Sequence, residues 1–420
     1  MSSAVTHDAI LVLGFGGPER PQDVMPFLER VVEGRNVPRE RLLLVAEHYQ
    51  HLGGKSPIND SCRALIAALR AELDRCGIAL PIYWGNRNWH PLLEDTVRQM
   101  RADGVRKAAV YVTSAFSSYS GCRQYRQDME QARASVGEGA PELDKLRIFY
   151  NHPGFVEAQA ERASVCLAAL PEPQRSAARL VFTAHSIPLA MASGCDYVAQ
   201  LKEIADVLAQ RFGRERGEVV FQSRSGPPQV PWLEPDICDH LRVLAGEAVQ
   251  DVVVIPLGFV SDHVEVVWDL DHEAQAVAQA LGMRLHRVGT VGEHPLFIAM
   301  IRELIEERLG RVSTRRSCAA KMEASGITSW ACVGPPLRAA APFRHILAKR
   351  ELAKIFGPGH MSRHACQAPS RQAYRAQDRT CFVRAAAARA AVAVRSSRAR
   401  ARGRHVASAA AAGADAEPRA

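Results

Sequence analysis

Three strand-and-turn patterns occur twice in this chain, in the same order. Leu180-Val181-Phe182-Thr183-Ala184-His185-Ser186-Ile187-Pro188 echoes Leu11 to Pro18: an apolar run, then an aromatic ring or a His, two residues, and a Pro. Val219 to Ser225 echoes Tyr83 to Asn88, and Val253 to Ser261 echoes Val110 to Ser118. An ordered set of matches at offsets of roughly 140 to 170 residues marks an internal repeat. The repeat restricts the fold to two similar α/β halves related by a pseudo-twofold, with a cleft between them. The same alignment sets Phe15 opposite His185, so a flat ligand in the cleft would have one on each face.

Within each half, short apolar runs alternate with longer amphipathic segments. Ala9 to Phe15, Ile82 to Arg87 and Ala108 to Thr113 read as strands. Segments around Asp23 to Val32, Pro38 to His51, and the one carrying Ala64 to Leu69 read as helices, with Ser56 or Asp60 able to cap the last. This β-α alternation predicts parallel sheets with crossover helices, hence two similar α/β halves over residues 8–150 and 151–312. The Gly-rich turn after the first strand reads GFGGPE, and Pro18 removes an N–H that a phosphate would need, so a dinucleotide cradle is not expected there.

The grammar changes after about residue 312. Residues 313–420 have few Ile, Leu or Phe and are rich in Ala and Arg, as in Arg384-Ala385-Ala386-Ala387-Ala388-Arg389. Such a stretch cannot bury enough apolar surface to fold alone and is predicted to be a disordered tail. Much of the excess Arg behind the net charge of +8 lies in it. Before it the charges are mixed, without a basic stripe interleaved with aromatics, so no nucleic-acid partner is expected. No apolar run reaches the roughly 20 residues of a transmembrane span. Met1 to Asp8 has neither a basic n-region nor an apolar h-region, so no export signal is expected. The ten cysteines include no CxxC pair and are expected to be reduced thiols in a cytoplasm.

The chemistry concentrates at the strand ends of the second half. Glu265, Asp269 and Glu273 are four apart, so a helix carrying them stacks three carboxylates on one face. A solvated acidic face is the ordinary meaning of such a row. Here the row begins just past the carboxyl end of an apolar strand, where open α/β sheets place ligands, and there it suits a cation or proton path. His185 also ends an apolar strand. A lone His is more often structural, but an imidazole and a carboxylate converging on one cleft suit a borderline divalent metal such as Fe²⁺ and can accept protons. So few strong donors would hold a metal loosely, as a protein that passes its metal on requires; a full Cys/His cage would trap it.

The stretches LGGKSPIND (Leu52 to Asp60), GNRNWHP (Gly85 to Pro91), FTAHSIP (Phe182 to Pro188), QSRSGPPQVPWLEPD (Gln222 to Asp236) and GFVSDHVEVVWDLDHE (Gly258 to Glu273) together resemble the ferrochelatase family, most closely its actinobacterial coproporphyrin III type. The resemblance covers about residues 8 to 310 and implies insertion of Fe²⁺, the metal substrate, into a porphyrin during haem synthesis. It implies two Rossmann-like halves, with His185 and Glu265 as the metal-binding and catalytic pair; the acidic row through Asp269 and Glu273 would then draw Fe²⁺ in or carry protons out. Ser56 and Tyr125 match porphyrin-contacting positions, and Arg35 lies where related enzymes bind a propionate. Phe15 stands where Gram-positive relatives have Tyr; it can stack on the ring but cannot ligate iron.

Many actinobacterial members also carry a [2Fe-2S] cluster on one internal and three closely spaced C-terminal cysteines. Cys122 sits in the region of the internal ligand, whereas Cys318, Cys332, Cys366 and Cys381 are too widely spread for the usual C-terminal set. Protoporphyrin IX as the substrate, a cobalt or nickel chelatase, and a non-catalytic tetrapyrrole carrier are the competing readings. A carrier would need neither His185 nor Glu265. A downstream haem-synthesis enzyme is the natural protein partner.

Overall fold

The computed structural model describes residues 6–35, 37–226, 229–312 and 315–318. Strands β1 (Ala9–Gly14), β2 (Ile82–Asn86), β3 (Lys107–Val112) and β4 (Glu142–Lys145) form one sheet in the order β2-β1-β3-β4. Strands β5 (Arg179–His185), β6 (Glu218–Gln222), β7 (Asp251–Ile255) and β8 (Arg284–Arg287) form the other in the order β6-β5-β7-β8. Every pairing between these strands is parallel, and the two sheets share one permutation. The chain is therefore two Rossmann-like halves, as the repeat requires.

Alternate strand residues face opposite sides of each sheet. Ile10 and Val12 of β1 point to the interior shared by the halves, where they meet Tyr111, Leu180, Phe182, Val253 and the helix residues Phe155 and Leu201. Leu11 and Leu13 point the other way, onto Leu93, Val97 and Met129. Val181, Val220, Val252 and Val254 do the same in the second half, against Leu241 and Leu270. The central strands are buried on both faces, as parallel sheets covered by helices must be.

β4 and β8 read Glu-Leu-Asp-Lys and Arg-Leu-His-Arg, too short and polar to announce themselves in sequence. They are edge strands, where charge discourages pairing with another chain. The last helix among the described residues, Pro295–Arg308, returns to the first half. Its Phe297 lies against Phe149 and Phe155, and its Arg302 Nε bonds Glu72 Oε1 at 2.8 Å. Residues 315–318 follow it onto the body: the Cys318 amide donates to the Asn151 carbonyl at 2.8 Å. The disorder expected of residues 313–420 otherwise falls outside the described residues. No helix among the described residues is long and apolar enough to cross a membrane.

Both halves place a π-helix soon after the third strand: Tyr119–Gln124 after β3 and Val267–Ala274 after β7. Single π-helical turns interrupt the regular helical hydrogen-bond pattern and occur often at functional sites. The halves meet near the second of these. Val264, just before it, packs into a cluster of first-half residues that includes Phe27 and Tyr49. Trp268 stacks on His48 of the Arg39–His51 helix with ring centroids 4.2 Å apart.

Candidate active site

His185 is the last residue of β5. Its carbonyl accepts a hydrogen bond from Tyr197 Oη at 3.1 Å, and its ring Nδ1 lies against the Ser186 carbonyl. That contact fixes the ring and leaves Nε2 directed at Glu265, whose Oε2 is 3.5 Å away. Glu265 follows β7 through the turn 256–263 and sits in the short helical segment Val264–Val266. His263, its N-cap, brings Nδ1 to 3.9 Å from the same carboxylate oxygen. The His185 side chain is 33% exposed and that of Glu265 46%, so both face open space rather than packed core.

The electrostatics of the trio are coupled. Burial favours a protonated Glu265, but the charge and hydrogen bond of His185, helped by His263, hold the carboxyl down at about 2. Burial likewise works against the imidazolium of His185. The Glu265 carboxylate outweighs it, and the His185 pKa is raised. His263 goes the other way, because burial and the neighbouring His185 outweigh Glu265 and Asp262. One carboxylate thus faces one imidazole that gains protons readily and one that does not.

Asp269 is four residues on, in the π-helix. Ser223 Oγ donates to its Oδ2, and Gln222 Nε2 reaches both that oxygen and the Glu265 carbonyl at 3.3 Å. Burial, with Glu265 and Glu273 nearby, pushes the Asp269 carboxyl up to about 7. Glu273 is exposed and accepts from Trp268 Nε1 at 3.0 Å. The three carboxylates therefore run from the cleft to solvent. The four-residue spacing survives the change from α to π geometry, which is why the sequence could show the row without showing the π-helix.

The first half contributes a different set. The last rungs of the central ladders are Gly14–Asn86 and His185–Gln222, so Phe15 lies one residue beyond the rung His185 occupies. Phe15 packs edge-on against Phe27, and the Arg87 guanidinium lies 5.8 Å from its ring centroid. The same guanidinium covers Tyr125 at 4.8 Å and pairs with Asp128. Tyr125 is 5% exposed. Ser56 is buried too: its Oγ accepts weakly from the Ile58 amide at 3.4 Å, while Pro57 occupies the N-cap of the Ile58–Arg75 helix. Arg35 is exposed on the turn after the Val24–Val31 helix. Thus His185, Glu265, Asp269 and Glu273 form one constellation. Ser56, Tyr125 and Phe15 belong to the first half, where Ser56 and Tyr125 are buried and Phe15 packs beside the Phe27 and Tyr49 cluster.

His263 was not singled out from the sequence, although it stands inside the Ser-Asp-His-x-Glu stretch. Its signal was available: an extended residue two before Glu265, at a helix start, must lie beside that side chain.

A ferrochelatase family profile matches residues 7–309, which include every element described above except residues 315–318. The chain belongs to the ferrochelatase family. Among ferrochelatase relatives, the coproporphyrin III ferrochelatase of Nocardia farcinica is 54% identical over 317 residues, covering 74% of this chain and 90% of its own. The ferrochelatase of Rhodopirellula baltica is 50% identical over 317 residues, with coverage of 75% and 90%. The coproporphyrin III ferrochelatase of Mycolicibacterium smegmatis is 52% identical over 315 residues, with coverage of 74% and 93%.

A [2Fe-2S] cluster of the all-cysteine kind needs four thiolates. Cys122 is buried in the Tyr119–Gln124 π-helix, and Cys318 lies beside Asn151. Among the described residues no group of three or more His, Cys, Asp or Glu is arranged to hold a metal ion. Cys332, Cys366 and Cys381 fall outside them. The described cysteines by themselves do not make a cluster cage.

Proposed function

We propose that this ferrochelatase inserts Fe²⁺ into coproporphyrin III, releasing two protons and giving Fe-coproporphyrin III for haem synthesis. The observation that carries the reading is the His185–Glu265 pair, 3.5 Å apart and open to the cleft, in a chain about half identical to relatives named for this substrate.

The chemistry follows from the charges. A free-base porphyrin must lose two pyrrole protons before four nitrogens can bind Fe²⁺. Binding that bends the ring turns nitrogen lone pairs toward one face, a use of binding energy on the reacting centre. Glu265, held ionised near pH 2 and above, offers a fixed negative charge to an incoming cation. His185, made more basic by Glu265, takes the two pyrrole protons one after the other, passing each on before accepting the next. Asp269, at about 7, is poised to exchange each proton near neutrality, and exposed Glu273 passes it to solvent. Arg35 on the rim offers a charge partner for a propionate. The described cysteines are all free thiols, which suits a reducing cytoplasm. There the product passes to a downstream haem-synthesis enzyme.

The test is anaerobic Fe²⁺ insertion, run in parallel on coproporphyrin III and protoporphyrin IX. His185→Ala and Glu265→Gln are expected to abolish turnover while porphyrin binding survives. Faster turnover on protoporphyrin IX would overturn the substrate assignment. Porphyrin binding without turnover in the unmodified chain would make it a carrier.

A further inference from the structure

The Glu265 carboxylate is nearly half exposed, so its position depends on how the backbone beneath it is held. That backbone is a short turn followed by a π-helix, neither of which is a rigid platform in itself. One side chain grips it at two points. Arg287, the last residue of β8, directs Nη1 and Nη2 at Asp262 Oδ1 and Oδ2, at 3.1 and 3.0 Å. Its Nε bonds Asp271 Oδ1 at 2.6 Å. Asp262 lies in the turn three residues before Glu265, and Asp271 lies in the π-helix six residues after it. His263, Glu265 and Asp269 all fall between the two anchors.

We propose that Arg287 is a positioning residue for metal delivery: by tying Asp262 to Asp271 it sets where Glu265 and His263 stand relative to His185. This rests on the proposed metal-insertion reading and deepens it.

The geometry suits arginine alone. A guanidinium presents a planar fork to one carboxylate while its Nε serves a second, whereas a lysine ammonium is a single point. The Arg287 side chain is 19% exposed and those of Asp262 and Asp271 are 29% and 33%, so the three are shielded but not cut off from water. Removing only the cation leaves two carboxylates facing each other, which pushes the turn and the π-helix apart. None of the three residues touches His185 or carries the proton path, so the clamp acts through Glu265 and His263 rather than on the reactants.

The experiment compares Arg287→Lys and Asp271→Asn with the unmodified chain, using anaerobic Fe²⁺ insertion into coproporphyrin III and, separately, thermal unfolding. A partner hydrogen-bonded directly to a metal ligand is typically worth about 10- to 100-fold, and a clamp that acts one step further out belongs at the lower end. The expected result is a rise in KM for Fe²⁺ of about tenfold in Arg287→Lys, a smaller rise in Asp271→Asn, and an unchanged KM for the porphyrin. A purely structural clamp would lower Tm and move both KM values together or neither, and that result would overturn the proposal. Asp271→Asn keeps the Arg287–Asp262 fork, so it covers the case in which Arg287→Lys does not fold. If the unmodified chain does not turn over, the reaction assignment fails instead. The clamp is then read from Co²⁺ binding by calorimetry, where equal affinity in all three proteins would overturn it.

Discussion

At the scale of single residues the site works by setting neighbours against each other. Asp269 is the clearest case, because burial and two nearby carboxylates raise it to about 7 while an unfolded chain would titrate it near ~3.9. Between those values the folded protein holds a proton that the unfolded chain has released. Stability from this group is therefore lost as pH rises from about 4 to about 7. Asp269→Asn removes the titration and keeps an acceptor for Ser223. Urea midpoints measured at pH 5 and pH 8 are expected to differ less in Asp269→Asn than in the unmodified chain; an equal pH dependence in both would show that the Asp269 carboxyl is not shifted. The sequence showed Asp269 as a rung in an acidic row. It could not show that this rung is the one held protonated near neutrality, since that depends on Ser223, Gln222 and the burial that the strand ends impose.

At the scale of elements, the strand ends and the turns between them carry the candidate site, and their close packing is exacting. Gly258 follows β7 and lies directly over β5. A Cβ there would stand 2.6 Å from Ala184 Cβ and 2.8 Å from Ala184 Cα, and backbone cannot swing aside as a flexible side chain can. Gly258→Ala is expected to cost about 1–3 kcal/mol through overpacking. It should also shift His185, the next residue of β5, so kcat at a temperature well below Tm should fall as well. A variant that loses stability but keeps full kcat would show that β5 yields without moving its end. The central strands were legible in the sequence because buried parallel strands are continuous apolar runs, as in Val253-Val254-Ile255. β4 and β8 were not, because an edge strand needs few apolar residues. The π-helix was hidden for another reason: Glu265, Asp269 and Glu273 share a face in either geometry, so periodicity could not separate the two.

At the scale of the whole molecule the two halves are repeats in sequence but not independent bodies. Ile10 and Val12 from the first sheet share a core with Phe182 and Val253 from the second, and the Pro295–Arg308 helix crosses back to seal it. The repeat was readable because strand, turn and Pro recur in register. The return of the last helix was not, because nothing in an amphipathic segment says which half it will cover. This shared core makes a prediction about unfolding. Phe297 is fully buried between Phe149 and Phe155, and Phe297→Ala is expected to cost about 3–5 kcal/mol through the cavity it leaves. If each half were stable alone, the loss would fall on one of them and calorimetry would show two separated transitions. With a common core the halves should melt together, in the variant as in the unmodified chain, because neither can keep its inner face buried without the other. Trp84 and Trp89 report from the first half and Trp232 from the second, once Trp268, which bridges the halves, and Trp330 are replaced by Phe. Fluorescence transitions that separate between the two sets would mean that the cleft divides two folding units, and that its geometry is set only where His48, Trp268 and Val264 bring them together.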